Sequence, residues 1–376
     1  MSGTKIDALI AGLALSGGGF RATLFHLGVI QHLREVGLLA GIRVISSVSG
    51  GSVVAAHLVL NWHRYTGPQA DFEWAKADLV QFTRRDIRGR VVRRLPFCWL
   101  IRPLTRTLLR SHGNPQPSAT WLLSRYYNRW LFHGATLQEL PPSPRLHILA
   151  TNLTRGCLTS FGQTTIVHFP SERSEVPTPV EAGLTDVALA VTASSSYPAL
   201  FPPLSLNHED VGAKESTFER QFFTDAGVTD NLGVQAIDWA DVGQGERVLV
   251  SDAGQSFVVP HYAGFGILKT ALMAADLMMF RIRESALSPM RQADSRVLLL
   301  SISDCDNLDG AAPVPVQQPL EALRTDLDAF SAIEAEELVR HGYFRSEAAT
   351  GLRVSGRPEF RFDSKVAAAR ARHLIA

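Results

Sequence analysis

Cysteine is scarce in this chain: Cys98, Cys157 and Cys305 are the only three among 376 residues. An odd number at no paired spacing speaks against a disulfide framework and against a zinc site, and it suits a reducing cytoplasm. A charge excess is lacking too. With a formal net charge of +1, the chain is not expected to hold nucleic acid through its overall field, and any electrostatic partner must meet a local patch. No apolar run reaches the roughly 18 residues of a membrane-spanning helix. No cleavable signal peptide is expected ahead of Ser16 either. Membrane contact, if made, comes from the surface.

What is present is ordinary globular composition, 45% hydrophobic and 19% charged, enough for one large core or two modest ones. Residues 8–15 read as a buried strand, 22–36 as a helix ended by Gly37, 42–48 as a second strand and 51–60 as a second buried helix. Strand, helix, strand, helix within sixty residues predicts an α/β fold, a mostly parallel central sheet with helices on both faces. Later strands are predicted at 145–151, 219–224, 247–251 and 296–302. Loops are predicted at 111–118, 169–180, 204–216 and 306–319. A helical insertion rich in arginine and tryptophan is expected over 62–140, and an amphipathic helix or helix pair over 321–342.

The first strand runs into Ser16-Gly17-Gly18-Gly19-Phe20-Arg21-Ala22. Three bare glycines at a strand-to-helix turn present backbone N–H groups where the helix dipole also favours negative charge. Such a turn suits either a resident phosphate or an oxyanion that forms only in a transition state. The phosphate alternative fits G-x-G-x-x-A after a strand, but a dinucleotide site also needs an acid at the end of the second strand. That place reads Ser46-Ser47-Val48-Ser49-Gly50-Gly51, without one.

The second turn points to the oxyanion. A nucleophile elbow tolerates little bulk two residues either side of its serine, and Ser49 has Ser47 before it and Gly51 after it. Ser47 and Ser52 would each have a β-branched residue in a crowded position. A serine hydroxyl needs a partner to take its proton. None of the twelve histidines is marked out by its setting, and each has a structural role as its default. Two aspartates follow strands among small residues, Asp225 in TDAGVTDN and Asp252 in VSDAGQ. The residues themselves leave these two open; either carboxylate serves as a base if burial raises its pKa and it reaches the serine.

Four ordered blocks, S-G-G-G-F-R-A at 16–22, S-V-S-G-G at 47–51, A-S-S-S-Y-P-A-L-F-P-P at 193–203 and D-A-G-V-T-D-N at 225–231, resemble those of the patatin-like phospholipases. The resemblance spans roughly residues 10–255. It implies hydrolysis of lipid acyl esters by a Ser-Asp dyad without histidine, cofactor or metal. By position Ser49 matches the nucleophile, with Ser47, Gly50 and Gly51 forming its elbow. Gly17, Gly18 and Gly19 match the oxyanion turn and Arg21 its accompanying arginine. Asp225 matches the base, chosen over Asp252 because Asn231 follows it at the family's spacing, with Ala226 and Gly227 completing the motif. A hydrolase domain over 8–305 and a C-terminal extension over 306–376 are the implied organisation. Departures from the family pattern are Ser47 and Ala22 in place of glycines, Ala226 within the aspartate motif, and Leu232-Gly233 where proline is common.

Residues 84–110 carry nine arginines against one acid, Asp86. Arg84, Arg85, Arg88, Arg93 and Arg94 with Trp99 suit an interfacial segment on anionic lipid; a solvated basic helix, or contact with an acidic part of the same chain, is the alternative. Trp121, Tyr126, Tyr127 and Trp130 are expected to pack as core. Two other functions stay in view: a phosphate-binding module on the glycine turn, and an inactive scaffold held at membranes by the arginines.

Overall fold

A computed structural model describes residues 9–96, 118–170, 177–198, 200–239, 242–255, 266–293, 296–305, 307–354, 370–371 and 373–374. Ten strands form one sheet: β1 (Ile10–Leu15), β2 (Val44–Val48), β3 (Arg145–Asn152), β4 (Cys157–Phe161), β5 (Thr165–Phe169), β6 (Thr178–Glu181), β7 (Leu204–Leu206), β8 (Gln221–Asp225), β9 (Arg247–Asp252) and β10 (Val297–Ser301). Their order is β10-β9-β1-β2-β3-β4-β5-β6, with β8 on β3 and β7 on β8. The longer helices are α1 (Gly19–Glu35), α2 (Gly50–Leu60), α3 (Gln69–Thr83), α4 (87–96), α5 (Ala119–Tyr127), α6 (Val187–Ser195), α7 (Ile267–Ala293) and α8 (Ala332–Thr350).

The sheet divides by strand direction. From β10 to β3 all neighbours are parallel, and helices cover both faces, which is why these strands read as continuous apolar runs. Leu13, Ile45 and Leu249 pack with Phe25, Val54 and Leu338 on one face; Ala14, Val248 and Val250 pack with Leu287 and Ile237 on the other. Beyond β3 the pairings are antiparallel. The predicted parallel sheet is therefore the half that carries Ser49 and the glycine turn, while Asp225 ends an antiparallel strand.

Of the antiparallel strands the sequence predicts only β8, at 219–224. β4 and β5 mix apolar residues such as Phe161 and Ile166 with polar ones that satisfy each other, as Thr159 Oγ1 and His168 Nδ1 do at 2.9 Å. β6 and β7 lie inside the predicted loops 169–180 and 204–216; β6 carries Pro179 at the sheet edge, and β7 has three residues. The C-terminal helix starts later than predicted, at Ala332, because Ser331 and Glu334 form a capping box there.

Residues beyond 306 pack on the same core, with Val316, Leu320 and Leu338 in the cluster of α1 and α2. Helices α1 and α8 cross at two glycines. A methyl on Gly28 would stand 1.9 Å from the Val339 carbonyl oxygen, and one on Gly342 would stand 1.9 Å from that of Phe25. Gly28→Ala should therefore cost about 1–3 kcal/mol or more in chemical denaturation, because two backbones must separate. An unchanged midpoint would contradict this crossing.

Candidate active site

Strand β2 pairs with residues 145–149 of β3. Just past that, residues 150–152 of β3 take β8 instead, antiparallel, with Ala150 opposite Asp225. The other edge of β3 is held by β4 over 148–152, so β2 and β8 share one edge and meet end to end. Ser49 leaves the end of β2 where Asp225 arrives at the end of β8. The register Leu15↔Ser47 brings the glycine turn after β1 level with them. The sequence predicts Asp225 at the carboxyl edge of the sheet; it lies there, on a strand that runs the opposite way.

Ser49 has φ 50° and ψ −117°, a conformation that costs a side-chain-bearing residue about 1–3 kcal/mol. The surroundings enforce it. A methyl on Gly50 would lie 1.9 Å from the Gly19 carbonyl oxygen, and one on Gly51 would lie 2.4 Å from that of Leu15, so the elbow presses against the glycine turn. Ser47 is buried, with its Oγ donating to the His147 carbonyl at 3.2 Å and accepting from Ser52 Oγ at 3.1 Å. Ser52 Oγ lies 2.8 Å from Ser194 Oγ, which accepts the Ser49 N–H at 2.9 Å. Only one set of proton positions satisfies all four contacts, running from Ser49 N–H through three hydroxyls to a carbonyl.

The glycine turn offers fewer donors than the sequence suggests. Gly17 N–H is taken by the Asn231 carbonyl at 3.1 Å. Gly18 and Gly19, at φ 139° and 55°, begin α1 and supply its first N–H groups. Gly17 supplies room: a methyl there would be 2.6 Å from Asn231 Oδ1 and 3.4 Å from Ser49 Cβ. Arg21 is fully buried at the cavity lining, donating to the carbonyls of Leu323 at 2.9 Å and Ala253 at 2.8 Å and also to that of Glu321. It braces the turn from behind, and burial lowers its pKa to about 10.

Asp225 is buried, and its Oδ1 accepts the Gly227 N–H at 2.8 Å. Burial raises its pKa to about 6, against smaller opposing effects of the Gly227 N–H and the Ser49 side chain. Its Oδ2 has no partner of ordinary hydrogen-bond geometry, so the Ser49 hydroxyl is near enough to act on the carboxyl yet not closed onto it. Catalytic pairs are often long before substrate binds. Ala226 and Gly227 form a short 3-10 turn after β8, and Asp230 shapes the rest by accepting from the N–H groups of Leu232, Gly233 and Gln235.

Ser49, Asp225, Gly18 and Gly19 open into a cavity of about 550 Å³, within the range of small-molecule sites. Helix α7 walls it with Leu272, Met273, Met279 and Phe280; Leu200 and Phe201 add to that apolar side, and Ala322, Thr325 and Leu327 close another. Among the described residues no histidine lines it. His26 holds the turn instead, between the Ser16 carbonyl and Ser251 Oγ, and burial lowers its pKa to about 4.

A family model described as patatin-like phospholipase matches residues 13–238. The chain belongs to the patatin-like phospholipase family. A search of the curated proteins gives no significant match. Among solved structures, human GIVD cytosolic phospholipase A2 matches at TM-score 0.57 and 14% identity, over 97% of this chain and 61% of that one. The same human enzyme in complex with methyl gamma-linolenyl fluorophosphonate matches at 0.51 and 13%, over 100% and 61%. The chain thus spans about three fifths of those structures' length, and the likeness is one of fold.

Within this patatin-like site several contributors were not singled out from sequence. Ser194 orients the elbow, while the Ser196 carbonyl accepts from Asp225 N at 3.1 Å and from Thr224 Oγ1 at 2.8 Å. Both fall in the third family block, which was their only signal in the sequence. Helix α7 had none. The arginines divide: Arg88 lines the cavity and pairs with Asp326 and, at 3.0 Å, Asp328. Arg85 lies over Trp130, Arg94 lies over Tyr126, and Arg93 pairs with Asp86. Arg84, Arg93 and Arg94 remain exposed. Trp99 lies outside the described residues. Tyr126 and Tyr127 are buried, and Tyr126 stacks on Trp130 at 4.6 Å between ring centres.

Asp252 is in a different state from Asp225. It is fully buried and forked by Arg283 at 2.8 and 2.5 Å, with the Gly254 N–H at 2.9 Å and Ser301 Oγ at 3.2 Å. Its oxygens are occupied. Asp252→Asn should therefore destabilise the protein by about 3–5 kcal/mol, because it removes the buried charge facing Arg283 and leaves that guanidinium only the more exposed Glu284, at 3.2 Å. Asp225→Asn should do the reverse. The folded state binds that proton more tightly than the unfolded chain, from 3.8 to about 6, so the ionised carboxylate destabilises above pH 6 by about 2–3 kcal/mol. Denaturation at pH 8 should show Asp225→Asn at least as stable as wild type, with the gain fading below about pH 4.

Proposed function

We propose that this chain hydrolyses carboxylic acyl esters of phospholipids, with Ser49 as nucleophile and Asp225 as general base. The observation that carries the reading is the strained Ser49 beside a buried carboxyl with one unpartnered oxygen, both lining a cavity that has one apolar wall. Ionised Asp225 takes the Ser49 hydroxyl proton as Oγ attacks the ester carbonyl. The N–H groups of Gly18 and Gly19 hold the oxyanion of the tetrahedral intermediate, each donor lowering the barrier by about 3–4 kcal/mol. Protonated Asp225 then returns the proton to the leaving alkoxide, giving a lysolipid alcohol and an acyl-Ser49 ester. Water, deprotonated by the same carboxylate, attacks that ester, and the fatty acid leaves as Oγ regains its proton. No histidine, metal or cofactor is needed for proton balance.

Leu200, Phe201, Leu272 and Met279 on the cavity wall favour an acyl chain, and a carboxylate beside the glycine turn disfavours a resident phosphate. Exposed Arg84, Arg90, Arg93 and Arg94 complete the proposal as a cationic face for anionic membrane, with the protein acting as a peripheral, cytoplasmic enzyme.

Incubation with mixed phospholipid vesicles should release free fatty acid. Ser49→Ala and Asp225→Asn should each abolish release, while any Asp252→Asn protein that folds should retain it; the opposite pattern for the two aspartates would overturn the choice of base. Methyl gamma-linolenyl fluorophosphonate, present in the similar human structure, should label wild type at Ser49 and leave Ser49→Ala unlabelled. Because Asp225 works ionised and titrates at about 6, kcat/KM should fall about tenfold per pH unit below that value. Changing Arg84, Arg90, Arg93 and Arg94 together to Gln should weaken low-salt binding to anionic vesicles. Equal binding would remove the cationic face from the proposal.

A further inference from the structure

Helix α7 is apolar on two opposite sides, and among the described residues only one of them has a protein partner. At 100° per residue, Leu272 and Met279 fall on the side that walls the cavity. Ile267, Ala271, Ala274, Leu277 and Met278 fall on the side turned away from it, and all five are exposed. Their exposure is far from marginal: Ile267 is 93%, Met278 60% and Leu277 39% accessible. Among residues 270–280 only Ala275 is buried. The stripe carries no charge until Arg281. From there the helix is anchored, by the buried Arg283–Asp252 pair and by Leu287 in the core. A helix apolar all round belongs in a core or in lipid, and a contiguous exposed apolar face marks an interaction surface.

We propose that this outer stripe of α7 inserts into the acyl boundary of a phospholipid leaflet and so delivers acyl chains into the cavity behind it. The choice of a bilayer as occupant rests on the proposed lipid hydrolysis and on position. The stripe is one helix diameter from the cavity that contains Ser49. Arg88, at the start of α4, lines the same cavity, and Arg90, Arg93 and Arg94 are exposed on the opposite side of that helix. An exposed apolar ridge backing a cavity with an apolar wall suits the acyl boundary of a leaflet. The Tyr197 hydroxyl, which donates to Asp276 at 2.5 Å, ties the helix to the third family block and holds the stripe outward.

The test uses the full chain and uncharged phosphatidylcholine vesicles at high salt, where the arginines contribute little. Leu277→Glu/Met278→Glu and, separately, the milder Ile267→Ser should reduce vesicle partitioning, by about tenfold or more for the double variant. Hydrolysis of a soluble short-chain ester should keep the wild-type kcat/KM in both, since none of these three side chains lines the cavity. Vesicle binding equal to wild type in the double variant would overturn the surface, as would failure of wild type to bind neutral vesicles. Conversion of a wild-type dimer to monomer, without loss of lipid binding, would assign the stripe to a second copy of the chain and overturn it too. Loss of vesicle partitioning in the variants, in a protein whose wild type cleaves no ester, supports the surface and rejects the hydrolase.

Discussion

Two strands compete for one edge of β3, and the site exists where the first gives way to the second. β2 stops pairing at Val48 because the chain bends sharply at Ser49, and β8 takes over from Ala150 in the opposite direction. Residues far apart in sequence are thereby brought nose to nose on a rigid sheet, not on loops. The bend is strained, so the surrounding packing must hold it: bare glycines at 50 and 51 on one side, and on the other a file of serine hydroxyls ending on the His147 carbonyl. Ser47, a departure from the glycine of the family pattern, is a working link in that file.

The two buried aspartates show how environment assigns roles to identical side chains. Asp252 is saturated by Arg283, a backbone N–H and a serine, and fastens α7 to the sheet. Asp225 has one backbone donor and a free oxygen, so burial dominates and its pKa climbs toward the working range of a base. The contrast separates a carboxylate saturated for structure from the one proposed to react. The same burial that suits Asp225 to accept a proton makes it a stability liability near neutral pH, a trade common at reactive sites.

The cavity is assembled from remote parts of the chain. Its floor comes from the family core, one wall from α7, and another from residues 322–327, which Arg21 grips through carbonyls and Arg88 through carboxylates. Arg21 is thus a brace for the glycine turn, and the cost of its full burial is offset by three carbonyls that accept from Nη1 and Nη2, while Nε has no partner among the described residues. The arginine-rich stretch proves to be mixed in purpose, part ion-paired or stacked within the chain and part exposed.

The alternation of elements through residue 60, the serine with small neighbours and the glycine turn were legible because each follows from local sterics: a tight elbow and a close backbone approach admit few side chains. The base was not legible in that way. Asp225 and Asp252 follow strands in nearly the same small-residue setting, and family spacing separated them where local chemistry could not. Only the tertiary structure decided the physical difference, by running Arg283 onto one and leaving the other beside Ser49. It also showed which side of α7 is covered and which is bare, because apolarity on two sides of a helix becomes informative only when one of them is seen against a partner.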